Sequence, residues 1–253
     1  MRLLSATYAI WLREIKREIR ERGRILGNLF TPIIWLGIFG VGLGSSMRFS
    51  DVRTDYLTFL GPGIVAQTIL FSSIFAGVSV IYDREYGFLK EIMVAPISRA
   101  EIILGKVFGG ATASMIQGTV TLILVLFIGR GLPPNILGII LTLGFMLLLS
   151  IALVGVGLVG ASRMERAGGF QNIMRMLVMP LFFISGALFP LSKLPEWLRF
   201  LTILNPITYG VDAIRGSLLG VSINPLWFDF LVLGSFTVSI ILLGAHLFKG
   251  SEA

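Results

Sequence analysis

Six stretches of this chain contain no Asp, Glu, Lys or Arg: residues 25–47, 57–81, 107–129, 135–161, 176–191 and 230–248. Charged residues separate them. A helix that crosses a bilayer needs about 20 apolar residues. A charge near its centre costs at least about 2.5 kcal/mol on insertion scales. The runs therefore predict six transmembrane helices. Pro32 sits near the start of the first, Gly61-Pro62-Gly63 predicts a kink or break in the second, and Pro180 interrupts the shorter fifth. The composition agrees: 55% of the 253 residues are hydrophobic and 14% charged, against about 25% charged in soluble domains.

The first 24 residues predict an amphipathic helix lying on the membrane. Leu4, Tyr8, Trp11, Ile15 and Ile19 share one helical face, and Arg13, Lys16, Arg17 and Arg20 with Glu14, Glu18 and Glu21 occupy the other. The apolar stretch is short, broken by Arg13 and followed by no small-residue cleavage site, so a cleavable signal peptide does not fit. Interleaved acids and the span that follows at once argue against a nucleic-acid arm.

The basic residues fix an expected orientation. With the N-terminus cytoplasmic, the inner segments hold seven, four, three and one Lys or Arg, and the outer ones two, one and three. Fifteen against six puts both termini in the cytoplasm. It also accounts for the net charge of +7 without nucleic acid.

Residues 82–106 are the long charged segment between two apolar runs, with Arg84, Lys90, Arg99 and Lys106 against Asp83, Glu85, Glu91 and Glu101. Asp83 can cap a short helix through Phe88 and Glu91 that Pro96 ends. Ser98 and Glu101 are spaced as a capping box, with Ile97 and Ile102 as its hydrophobic staple. Two readings stay open: a stiff lever on which a soluble partner pushes, or a well-capped connector. Residues 192–229 predict two short helices, from Pro195 to before Asn205-Pro206 and from Thr208 to Leu219. Each is about 18 Å long at 1.5 Å per residue, too short to cross. They read as re-entrant from the outer surface, with an ordinary outer loop as the other reading. Asp212 and Arg215 lie three apart and could pair.

Chemistry of other kinds finds little support. There is no cysteine, and single His246 reads as an interfacial residue. Gly105-Lys106 fails as a phosphate loop, because Ala100 and Val107 stand where Gly and Ser or Thr are needed. No span carries an acid, which weakens an ion-coupled carrier. Gly40-xxx-Gly44, Gly105-xxx-Gly109 and Gly157-xxx-Ala161 read as packing pairs. Without repeats, low-complexity tracts or linkers, residues 1–253 form one domain: an interfacial helix (1–24), six spans, the charged segment (82–106) and the outer helices (192–229). The fold class is an all-α membrane protein.

Two stretches resemble a known family. Arg84-Glu85-Tyr86-Gly87, Leu89, Ala95-Pro96-Ile97-Ser98-Arg99 and Leu104-Gly105-Lys106 are similar to the cytoplasmic coupling segment of type-2 ATP-binding-cassette exporters. Ser185-Gly186, Phe189-Pro190, Leu194-Pro195-x-Trp197 and Asn205-Pro206-Ile207-Thr208-Tyr209-Gly210-Val211-Asp212-Ala213-Ile214-Arg215 resemble the C-terminal signature of their drug and nodulation-factor export permeases. The resemblance covers essentially the whole chain. It implies a permease subunit of a prokaryotic inner or plasma membrane, paired with a second copy, most simply as a homodimer. Two soluble ATPase subunits would carry the ATP and magnesium, and this chain would bind no cofactor and catalyse nothing itself. Arg84, Glu85, Tyr86, Gly87, Leu89, Pro96 and Arg99 would couple to the ATPase. Asn205, Pro206, Tyr209, Asp212 and Arg215 would shape the outer gate. The resemblance points to the first and fifth spans for the path, and to a drug or an amphipathic, lipid-like cargo. An ion-coupled carrier or channel, and a membrane scaffold without transport, are the rival functions.

Overall fold

Helix α3 (Tyr56–Ala76) is the internal pillar of the structure, and α4 (Val78–Glu85) continues it after one residue, Gly77. The computed structural model describes residues 2–43, 55–88, 97–128 and 135–250. The remaining helices are α1 (Arg2–Arg20), α2 (Arg22–Trp35), α5 (Arg99–Ile128), α6 (Ile136–Ser162), α7 (Ala167–Phe183), α8 (Glu196–Leu204), α9 (Pro206–Leu219) and α10 (Leu226–Gly250). No strand occurs among the described residues.

Among the described residues, four helices are long and apolar enough to cross a membrane: Tyr56–Glu85, Ala100–Ile128, Ile136–Ser162 and Leu226–Leu247. The other two expected spans are built differently. Residues 25–43 form α2 and an eight-residue π-helical segment, Leu36–Leu43, and the apolar helical part is Phe30–Gly40. The expected end of this span, 44–47, lies outside the described residues. The fifth, expected at 176–191, is shifted: α7 begins at Ala167 and stops at Phe183, beyond which Ser185-Gly186 turns the chain with φ +77° at the glycine. Charge-free composition located the apolar run but not the helix, because the polar first turns of α7 belong to the same rod.

Burial ranks the helices. In its most apolar stretch α3 with α4 is 83% buried, whereas α10 is 17% buried. α3 packs against α5, α6 and α9, and the core centres on Leu60, Ile64, Ile69 and Leu70 with Met146, Leu149 and Phe182 around them. α10 turns Phe230, Leu231, Val238 and Leu242 outward, as a helix against hydrocarbon should.

Of the kink or break expected at Gly61-Pro62-Gly63, the break does not occur, since α3 runs unbroken through Pro62. Gly63 instead admits the backbone of Ala187, which a Cβ would strike. The interruption falls at Gly77, where the chain meets Gly157 of α6. A Cβ on Gly77 would collide with the Gly157 carbonyl, and one on Gly157 with that of Ile74. The two backbones touch directly, the close approach that small-xxx-small spacing permits.

Gly157→Ala should therefore lower stability by about 1–3 kcal/mol, the usual range for overpacking. Gly144→Ala, also in α6 but with open space at its Cβ position, should leave it unchanged or slightly raised. Thermal unfolding of the two variants in detergent separates these outcomes.

Candidate functional site

Lys106 is 2% exposed and is held by three oxygens. Its Nζ donates to Asp83 Oδ2 of α4, to Glu14 Oε1 of α1 at 3.2 Å, and to Ser79 Oγ of α4 at 3.4 Å. An ammonium has three donors, so the buried cation is fully satisfied. Asp83 also accepts from both terminal nitrogens of Arg13, at 2.6 and 3.2 Å. Glu14 accepts from Arg17 at 2.8 Å. Five charges, Arg13, Glu14, Arg17, Asp83 and Lys106, thus join α1, α4 and α5. Partial burial works against the Arg13 charge, but the hydrogen bond to Asp83 and the charges of Asp83 and Glu14 outweigh it and hold its pKa above the ordinary value.

This cluster corrects one expectation. Asp83 lies within α4 and pairs with Lys106 and Arg13 rather than standing as a cap; beyond Phe88 the short helix expected after it lies outside the described residues. The face of α1 that docks on α5 is a stripe next to the expected apolar one. Ile10 and Glu14 are buried, seated where Gly105 and Gly109 lack side chains, and Trp11 donates to Thr112 Oγ1 at 3.0 Å. Tyr8 and Ile19 face outward. The signal available in sequence was position: Asp83 and Lys106 are the charges closest to the apolar runs on either side of the segment.

The stem of the charged segment is tied to the far side of the bundle as well. Arg84 donates to the carbonyls of Ser162 at 3.1 Å and Met164 at 3.3 Å, at the C-terminal end of α6. Glu85 accepts from the Ala167 N–H at 3.3 Å, the first residue of α7. Each charge meets the helix end whose dipole favours it. Tyr86, next in sequence, is 81% exposed, and Gly87 turns the chain with φ +74°. The capping box forms: Glu101 N–H donates to Ser98 Oγ at 3.3 Å and Ser98 N–H donates to the Glu101 carboxylate. Ile97 and Phe88 pack on Ile10 and Ile102, and Arg13 lies 3.7 Å over the Phe88 ring. Leu89 and Pro96 lie outside the described residues, and Arg99 is described only as the first residue of α5.

At the opposite end of α3, the short helices are as expected within a residue or two, with Pro195 preceding α8 and Pro206 opening α9. Residues Ile207 to Arg215 of α9 are all buried. Asn205 caps α9 by accepting from Ile207 N–H at 3.1 Å and donates to the Leu181 carbonyl at 2.7 Å. That carbonyl lacks a helical partner, because Ser185 N–H turns to Phe182. Tyr209 donates to the Ile203 carbonyl at 2.8 Å. Asp212 and Arg215 do not pair. Asp212 accepts from the N–H groups of Ile223 at 2.9 Å and Asn224 at 2.8 Å. Arg215 donates to the carbonyls of Gly186 at 3.0 Å, Phe59 at 3.4 Å and Ala187 at 3.5 Å, and lies 3.9 Å over the Phe59 ring. Burial brings its pKa down to about 10, opposed by the Asp212 charge, so it stays cationic. Sequence reasoning passed over Asn224, which donates to buried Asp229 at 3.3 Å and so links both acids to the α9–α10 connection.

Between these ends lies a cavity of about 430 Å³ walled by α2, α3, α4 and α7 with the end of α1. Trp35 and Phe71 form part of its apolar wall, and Arg17, Arg175, Glu21 and Gln67 give it charge and polarity.

Lys106→Met should cost about 3–5 kcal/mol, because it strands two buried carboxylates. Adding Asp83→Asn should recover part of the loss, and paired thermal unfolding measurements check the coupling. Asp212→Ala frees two backbone N–H groups, at about 1–3 kcal/mol. Limited proteolysis should show earlier cleavage near residues 221–225 and not at the α1 end.

Residues 5–219 match the ABC-2 type transporter family. The chain is 32% identical to ycf38 of Cyanophora paradoxa, a chain named as a transport permease, over 76% of this chain and 66% of that one. It thus spans about two thirds of that relative's length. It is 25% identical to nodulation protein J of Rhizobium leguminosarum bv. viciae over 84% of this chain and 82% of that one. It is 26% identical to the inner membrane transport permease YadH of Escherichia coli (strain K12), over 94% and 92%. The family match runs from α1 to the end of α9 and takes in both the ion cluster and the buried short helix. The chain belongs to the ABC-2 type transporter family.

Proposed function

We propose that the chain is the membrane subunit of an ATP-driven exporter, powered by a separate ATPase and moving an amphipathic compound or drug outward. One observation carries the reading. Both ends of the charged segment are anchored by charge, through Asp83 and Lys106 to α1 and through Arg84 and Glu85 to α6 and α7, while Tyr86 between them is exposed. A push on such a segment reaches α1, α6 and α7 at once. The name of YadH, an inner membrane transport permease, suits a bacterial inner-membrane permease.

In this reading α2 with its π-helical extension is the first of six spans and α7 the fifth. α8 and α9 are the outer re-entrant pair, and α8 offers Trp197, Phe200 and Ile203 to the membrane or to a partner copy. Both termini are cytoplasmic. Two permease copies pair above two ATPase subunits, which hold the ATP and magnesium. Tyr86, Gly87, Leu89, Pro96 and Arg99 meet the ATPase. Arg84 and Glu85 act one step back, transmitting the movement to α6 and α7. Asn205, Pro206, Tyr209, Asp212 and Arg215 hold the outer gate in place. The path follows α2 and α7, both of which wall the cavity.

The test is to purify the permease from its own membranes in mild detergent and identify what accompanies it. A P-loop ATPase in equal amount supports the proposal, and a folded dimer with no ATPase sinks it. Tyr86→Ala should reduce the captured ATPase several-fold with thermal stability unchanged, since Tyr86 is exposed. Glu85→Ala should leave capture nearly intact but lower transport, because its hydrogen bond is to Ala167.

A further inference from the structure

The cavity beside α3 has a chemistry of its own. Its wall follows α3 and α4 from Gln67 to Tyr82, fifteen positions, or about 22 Å at 1.5 Å per helical residue. It is long rather than round, and its volume of about 430 Å³ lies in the ordinary range for small-molecule sites. Its lining includes two cations, Arg17 and Arg175, and one anion, Glu21. Arg17 is engaged by Glu14 at 2.8 Å, whereas Arg175 has no ion-pair partner among the described residues and is exposed. Gln67, 3% exposed, also lines it, and its Oε1 accepts no hydrogen bond. A buried amide oxygen without a donor is costly. Trp35, Phe71 and Phe75 supply apolar wall.

We infer that this cavity binds an elongated acidic amphiphile. Its acidic group sits at Arg175, its chain lies along Trp35 and Phe71, and a hydroxyl or amide N–H on that chain donates to Gln67 Oε1. The inference rests on the exporter reading only for what the ligand is for. A transported cargo and a resident bilayer lipid share this chemistry.

The experiment uses the permease alone, without ATP, with Trp11, Trp197 and Trp227 replaced by Phe so that Trp35 reports. Three probes are titrated in an uncharged detergent: stearate, 12-hydroxystearate and methyl 12-hydroxystearate. The hydroxy acid should bind about fivefold more tightly than stearate, the effect of one neutral hydrogen bond. Gln67→Leu should erase that difference and leave stearate unchanged. Arg175→Gln should weaken both acids about tenfold, as loss of a charge-assisted contact does, and leave the ester unaffected. Equal binding of acid and ester by the unmodified cavity, or a Gln67→Leu loss shared equally by stearate, overturns the inference while leaving the exporter proposal to its own test. With the ATPase present, faster ATP turnover on adding the hydroxy acid marks it as cargo-like. Unchanged turnover with intact binding marks the occupant as a resident lipid. Either result keeps the site.

Discussion

The structure depends on one buried cation. Lys106 has left water almost completely, and in a low-dielectric setting an ammonium is tolerated only with its donors filled and its charge matched. Asp83, Glu14 and Ser79 supply that match from two other helices. Each partner is thereby constrained in turn. α1 cannot leave α5 without exposing Glu14 and Lys106 to each other's absence. The end of α4 cannot swing without uncovering Asp83. The two ends of the charged segment, 23 residues apart in sequence, meet at this point, so the segment is a closed loop on a fixed base.

The opposite end solves the same problem with different chemistry. Arg215 is buried among backbone carbonyls and an aromatic ring rather than carboxylates, and the acid three residues before it serves backbone N–H groups instead. α9 is fastened to α3 near its start, through the Phe59 carbonyl, and the ion cluster grips the same rod at Ser79 and Asp83. The rod, Tyr56–Glu85, has 30 residues, about 45 Å at helical rise. Both sites therefore refer to one rigid element.

Much of this was legible in the residues. Charge-free runs located the four long helices, Ser98 and Glu101 announced the start of α5, and Asn205-Pro206 marked the junction of the two short helices. What stayed hidden was pairing at a distance. Nothing in the spacing of Glu14, Asp83 and Lys106 says that they meet, because their contact is made by helix packing and not by local periodicity. The same holds for Asp212 and Arg215, whose i,i+3 spacing suggests a pair that stronger backbone partners pre-empt. The glycines were ambiguous for a related reason. Gly61 and Gly63 around Pro62 read as a kink or break, yet Gly63 gives room to Ala187 of the α7–α8 connection, a requirement set by a neighbour about 120 positions away.

The meeting of Gly77 and Gly157 has a mechanical consequence. Contacts between side chains yield gradually, because rotamers shift and absorb displacement. Two peptide backbones pressed together have no such compliance, so they either stay in register or part. Gly77 is also where the rod changes from α3 to α4, and the rigid base of the charged segment begins on one side of it. The contact therefore fixes where the rod sits against α6, with eight residues of α4 on one side and twenty-one of α3 on the other.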